Sequence, residues 1–159
     1  MSKVILGVDP GGVNAACSWV DLDKKVLQVE KLPTMAKTTG KGNIIEINAF
    51  AGMVGRLKPD VCYFEQNNSR PGQAVSAVSS FWLGTGMLLG VLASFQVPVI
   101  QVTPGKWKKK LGLVKKEKDY ARTVVLSLYP NLAEQFKFKK DVDKADALLI
   151  ALYGVSCEE

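Results

Sequence analysis

The 159-residue sequence contains no histidine. That excludes an imidazole general base, the Ser-His and Cys-His nucleophile systems and any histidine-ligated metal. Cysteine is scarce as well. Cys17, Cys62 and Cys157 are odd in number, widely spaced and fit neither a disulfide framework nor a zinc-ligand pattern, so reduced thiols in a cytoplasmic protein are expected. Charge is missing altogether from Pro71 to Gly105. The part from Ala74 to Phe95 is long enough to cross a bilayer. However, Gln73, Ser76, Ser79, Ser80, Thr85 and Gln96 recur through and around it, and no one-sided basic cluster adjoins it. The expectation is a buried helix and no membrane span, the helix lying either wholly in its own core or also at a dimer contact. The opening MSKVILGVDP reaches Asp9 and Pro10 after too few apolar residues for a signal peptide. Repeats, low-complexity tracts and linkers are also lacking, which predicts a single domain over residues 1–159.

What is present is enough to build a core: 47% of residues are hydrophobic. The formal charge is +6, and its distribution is uneven. Thr103 to Lys144 holds 12 basic and 5 acidic residues, whereas the remainder holds 9 basic and 10 acidic. An anionic partner would therefore meet the C-terminal third.

Lys3 to Val8 is a β-branched run that ends in Asp9-Pro10-Gly11-Gly12, a strand entering a tight turn. Asn14 to Leu22 and Lys25 to Lys31 complete an antiparallel meander. Pro33 to Asn43 reads as a loop. Ile44 to Leu57 has helical apolar spacing, Val61 to Glu65 is a short buried strand, and Gln66 to Gly72 is a polar loop. After the long uncharged helix come a strand over Val97 to Val102 and a basic loop over Thr103 to Lys116. Helices over Glu117 to Tyr129 and Val142 to Tyr153 follow, separated by Pro130. Three antiparallel strands followed by parallel additions through right-handed crossovers predict an RNase H-like α/β fold, with a mixed five-stranded sheet flanked by helices.

In such a sheet Asp9 and Glu65 close two strands that run parallel and end on one edge. Period-two alternation places Ile5, Gly7 and Asp9 on one face, as it does Val61, Tyr63 and Glu65. Asp143 and Asp146 stand three apart at the start of an apolar helix and share a helical face. Singly, each acid has an ordinary reading as turn former, strand end, helix cap or first-turn acid. Together they are a candidate metal site. Four converging carboxylates repel one another, and two Mg²⁺ ions would neutralise them while leaving positions open for water and phosphate. Two such ions roughly 4 Å apart suit phosphodiester hydrolysis, with metal-bound hydroxide in place of an imidazole-activated nucleophile.

Three motifs carry a family resemblance: GVDPG at Gly7 to Gly11, FEQ at Phe64 to Gln66, and DKADALLIAL at Asp143 to Leu152. In order and spacing they resemble the RuvC family of Holliday-junction resolvases along nearly the whole chain. The resemblance implies a homodimer that binds a four-way DNA junction and makes paired Mg²⁺-dependent nicks leaving 5′-phosphate ends, with Mn²⁺ as an alternative ion. It places Asp9, Glu65, Asp143 and Asp146 on the family's acidic catalytic positions, with Asp141 outside that frame as a cap or solvated residue. A cytoplasmic setting is implied, bacterial or that of a host if the chain is phage-encoded. Broader flap, branched-DNA or RNA-processing nucleases of the same fold, and a junction binder without chemistry, are the alternatives.

Seven lysines between Lys106 and Lys118 surround Trp107. By itself such a run is a solvated face, but beside an acidic site it would draw in an anionic substrate. By resemblance Lys118 stabilises transition-state charge and Lys106 is a second phosphate contact. Arg70, Lys106, Trp107, Lys108, Lys109, Lys110, Lys115, Lys116 and Lys118 are the expected DNA contacts. One departure follows Glu65: the family's stacking aromatic is replaced by Asn67-Asn68-Ser69-Arg70, leaving Trp107 or Arg70 as candidate stacking groups.

Overall fold

The computed structural model describes residues 2–159. Strands β1 (Val4–Asp9), β2 (Ala16–Asp21) and β3 (Val26–Lys31) form the antiparallel meander. Parallel strands β6 (Val61–Glu65) and β7 (Val99–Val102) extend the sheet in the order β3-β2-β1-β6-β7. Between β3 and β6 the chain forms a small separate hairpin, β4 (Thr34–Ala36) and β5 (Asn43–Ile45), and then helix α1 (Ile47–Leu57). The hairpin corrects the loop expected over Pro33 to Asn43. Its turn contains Gly40 and Gly42, both at positive φ, and they let the backbone reverse between two very short strands.

Helix α1 begins where Glu46 accepts hydrogen bonds from the backbone N–H groups of Asn48 and Ala49, and it buries Phe50, Met53 and Val54. With α2 (Val75–Ser94) it covers one face of the sheet, over a core that includes Leu6, Val8, Trp19, Phe64, Leu88 and Leu92. The opposite face is covered by α5 (Val142–Glu158) and α4 (Tyr120–Leu128), over Ile5, Val61, Tyr63, Leu148 and Ile150. The sheet is therefore sandwiched between two helical layers.

Two elements depart from expectation. The segment read as a basic loop contains a short helix, α3 (Pro104–Lys110), started by a proline in its first turn. The uncharged helix α2 is long and apolar enough to cross a membrane, yet only 22% of its most apolar window is buried. It does not lie wholly in its own core. Gly84 packs tightly on the turn after β1, where an added Cβ would lie 3.2 Å from the Gly12 carbonyl oxygen. Gly86 and Gly90 meet nothing within 4 Å. They share an outward stripe with Ser79, Leu83 and Ala93 at helical spacing, all exposed.

Candidate functional site

In the parallel β1–β6 pair Gly7 lies opposite Tyr63 and Val8 opposite Phe64, so Asp9 and Glu65 close neighbouring strands at one edge. Alternation directs both toward the α5 layer, together with Ile5, Val61 and Tyr63. Helix α5 crosses β1 close to backbone contact at Gly7. A methyl group on Gly7 would lie 2.3 Å from the Ala147 carbonyl oxygen and 2.4 Å from the Ala151 nitrogen. This close crossing brings the first two turns of α5, with Asp143 and Asp146, to the end of β1.

The four carboxylates form one electrostatic cluster. Burial, and then the charges of Glu65, Asp146 and Asp143, push the Asp9 carboxyl well above the usual range. Asp146 is pushed up to about 7, chiefly by burial; Lys108 opposes the rise, Glu65 and Asp143 add to it, and Lys118 opposes it again. Among the described residues no three His, Cys, Asp or Glu side chains close to the spacing of a formed metal centre. The donor chemistry nevertheless fits a hard divalent cation: every candidate ligand is a carboxylate oxygen, and the cluster gains most from a compensating positive charge. Asp141 serves the backbone instead. It accepts the Phe138 N–H at 2.8 Å and pairs with Lys144 at 3.2 Å.

The basic residues divide by position. Lys118 reaches to 3.9 Å from Asp143 while remaining 76% exposed. Lys108, Lys115, Lys116 and Lys118 line a cavity of about 470 Å³ that also contains Asp146. Lys108, not Lys106, is the α3 lysine in this cavity. Lys106, Lys109 and Lys110 are exposed on α3. Arg70 lines a different cavity, of about 740 Å³, walled by the turn after β1, Gln66 to Arg70 and the first half of α2.

Trp107 is a correction. The sequence predicts a DNA contact for it, but it is 0% exposed, and its indole N–H donates to Glu65 Oε2 at 2.7 Å. Its large apolar ring is the anchor by which α3 docks on the sheet. A lysine run in sequence hid that role. Asn67, which the sequence did not single out, donates its side-chain amide to the other oxygen of Glu65 at 2.9 Å. Its placement two residues after the acid was the available signal. The aromatic surface beside the Arg70 loop is Phe81 and Trp82, which meet edge to face, with Trp82 Nε1 donating to Ser69 Oγ at 2.8 Å.

The sheet order and its two helical layers give the chain an RNase H-like α/β fold, the fold of the RuvC structures. The solved structures it resembles include Thermus thermophilus RuvC in complex with a Holliday junction substrate, at a TM-score of 0.68 and 18% identity, with 98% of this chain and 95% of that chain covered. A second Thermus thermophilus RuvC structure matches at a TM-score of 0.68 and 21% identity, covering 98% of this chain and 96% of that one. The yeast mitochondrial Holliday junction resolvase matches at 0.54 and 18% identity, covering 97% of this chain and 78% of that chain. In sequence, a chloroplast Holliday junction resolvase of Chlamydomonas reinhardtii is 34% identical over 95 residues. That match takes in 58% of this chain and spans 11% of the length of the algal protein. No protein-family model matches the sequence.

Proposed function

We propose that this chain is a divalent-metal-dependent endonuclease that resolves four-way DNA junctions by paired nicks. The observation that carries the proposal is the meeting of Asp9, Glu65, Asp143 and Asp146 in one cluster, with lysines of α3 and of the loop before α4 beside it. The RuvC-like fold and the relatives named as Holliday junction resolvases favour a branched DNA substrate.

The four acids would hold Mg²⁺, two ions per site, with Mn²⁺ as the alternative. When bound, the ions supply Lewis acidity and an activated water for attack on the phosphodiester. The protein's own groups do the rest. Lys118 and Lys108 offer positive charge to the phosphate where it lies against the acids. Exposed Lys106, Lys109, Lys110, Lys115 and Lys116 attract and position the backbone without reading sequence. Arg70 and the loop before it take a strand in the separate cavity they line.

Paired nicks need two sites, and the outward stripe of α2 is the face on which we place a homodimer contact. Gly86 and Gly90 allow close approach, while Leu83 and Trp82 supply apolar area. This assignment also explains an apolar helix left open without invoking a membrane. The buried, unpaired Cys17 and Cys62 suit a reducing cytoplasm.

Cleavage of junction, fork, flap and linear duplex DNA of matched sequence tests the reading. Symmetric paired cuts in the junction, with duplex spared, are expected. Preference for flaps or for RNA–DNA hybrids would keep a nuclease of this fold and remove the junction assignment. Junction binding without nicking in Mg²⁺ would leave a binding protein only.

A further inference from the structure

Glu65 is a buried carboxylate whose two oxygens are each held by a neutral donor from a different element. Trp107 Nε1 on α3 donates to Oε2 at 2.7 Å, and Asn67 Nδ2 in the loop after β6 donates to Oε1 at 2.9 Å. An indole has one N–H and cannot accept, so once Trp107 is buried its donor needs an oxygen partner. A backbone carbonyl would satisfy it. The partner here is instead an acid of the cluster, and the indole also carries the Lys108 ammonium 5.2 Å from its ring centre. The same ring therefore donates to the acid at its edge and carries a lysine over its face.

We propose that Trp107 and Asn67 are positioning residues that clamp the Glu65 carboxylate in the orientation a metal ion requires, and that Trp107 ties the basic helix α3 to the metal site. The proposal rests on the metal-site reading above. Each carboxylate oxygen has two lone pairs, so one hydrogen bond per oxygen fixes the plane of the group and leaves the remaining pairs for a cation. Fixed donors on metal-ligating carboxylates reduce the ordering needed when the ion arrives. Neither donor carries charge, so the clamp orients the acid without neutralising it. This arrangement also accounts for a large aromatic within a lysine run: the lysines face the polyanion, and the indole holds their helix against the acid.

Trp107→Phe keeps an aromatic anchor and removes the N–H; Asn67→Ala removes the second donor from a half-exposed position. Mn²⁺ binding to the DNA-free protein is measured by titration calorimetry, and junction cleavage is followed as a function of Mg²⁺. For Trp107→Phe the Mn²⁺ dissociation constant and the half-maximal Mg²⁺ concentration are each expected to rise roughly tenfold. Junction affinity in Ca²⁺ stays as in the wild type, and much of the cleavage rate returns at saturating Mg²⁺. Asn67→Ala shifts both in the same direction, and it carries the test if Trp107→Phe does not fold. Unchanged Mn²⁺ affinity in both variants overturns the clamp. So does lost thermal stability and junction binding with the Mg²⁺ midpoint unmoved. If wild type and Glu65→Gln bind Mn²⁺ alike, the metal-site reading itself falls, a result separate from the response of the two clamp variants.

Discussion

Gly7 and Ala147 are in backbone contact, with only 2.3 Å between the place of a Gly7 methyl group and the Ala147 carbonyl oxygen. Asp9 follows Gly7 by two residues and Asp146 precedes Ala147, so this crossing sets the distance between the two halves of the acidic cluster. Gly7→Ala must push α5 away from β1. Overpacking of this kind costs about 1–3 kcal/mol. Chemical denaturation is expected to show that loss, and the Mg²⁺ midpoint for cleavage is expected to rise as well. Gly154→Ala is the control. Its methyl group would meet Tyr63 and Ile5 side chains about one turn beyond Ala151, so it should lose stability and leave the Mg²⁺ midpoint in place.

The raised acids make the metal-free protein sensitive to pH. Asp9 lies well above its ordinary range and Asp146 at about 7, both first through burial. The native state thus binds more protons than the unfolded chain above the ordinary carboxyl range near 3.8. The contribution of these protonated acids is full below that value, and that of Asp146 is lost as pH rises through about 7. Melting temperatures in EDTA should fall between pH 5 and pH 8, a pH range chosen about the shifted groups. Asp146→Asn should flatten part of the fall, and Mg²⁺ should reverse it by stabilising the ionised acids. A melting temperature that rises over this interval in EDTA would count against the cluster.

The lysines should separate by role. Lys118 lies 3.9 Å from Asp143, and Lys118→Ala is expected to lower single-turnover cleavage by roughly 100-fold with a smaller effect on junction affinity. Lys109→Ala and Lys110→Ala should instead weaken binding to any DNA and reduce the salt dependence by about one unit per lysine. Equal losses in rate and binding for Lys118→Ala would make it a positioning contact only.

The outward stripe of α2 is tested at Gly90. Nothing lies within 4 Å of a methyl group there, so Gly90→Leu should fold as well as the wild type. Replacing a mid-helix glycine contributes up to about 1 kcal/mol in helix propensity. Sedimentation should nevertheless show a monomer, and paired nicking should give way to single nicks. A variant that stays dimeric would move the interface elsewhere.

Much of this fold was legible because its strands have clean patterns. Lys3 to Val8, Val61 to Glu65 and the turn at Asp9 to Gly12 fix direction and facing, and so place Asp9 and Glu65 at one edge. Local pattern could not show that Gly7 allows α5 to approach, since the clash is with Ala147 and Ala151, far along the chain. The α3 helix was hidden by its lysines, although Pro104 in its first turn and the four-residue step from Trp107 to Leu111 mark it. For α2, lack of charge predicts burial. Its outward face is made of glycine, alanine and serine as well as large apolar groups, so no polar stripe distinguished the open side from the covered one.

The four-carboxylate site meets its most direct test in Asp146→Asn, compared with wild type on a synthetic four-way junction in Mg²⁺. Binding is measured in Ca²⁺ and cleavage in single turnover. The wild type should make symmetric paired nicks, while Asp146→Asn should bind the junction at least as tightly, having lost one negative charge, and leave it uncut. Full cleavage by Asp146→Asn would contradict the account.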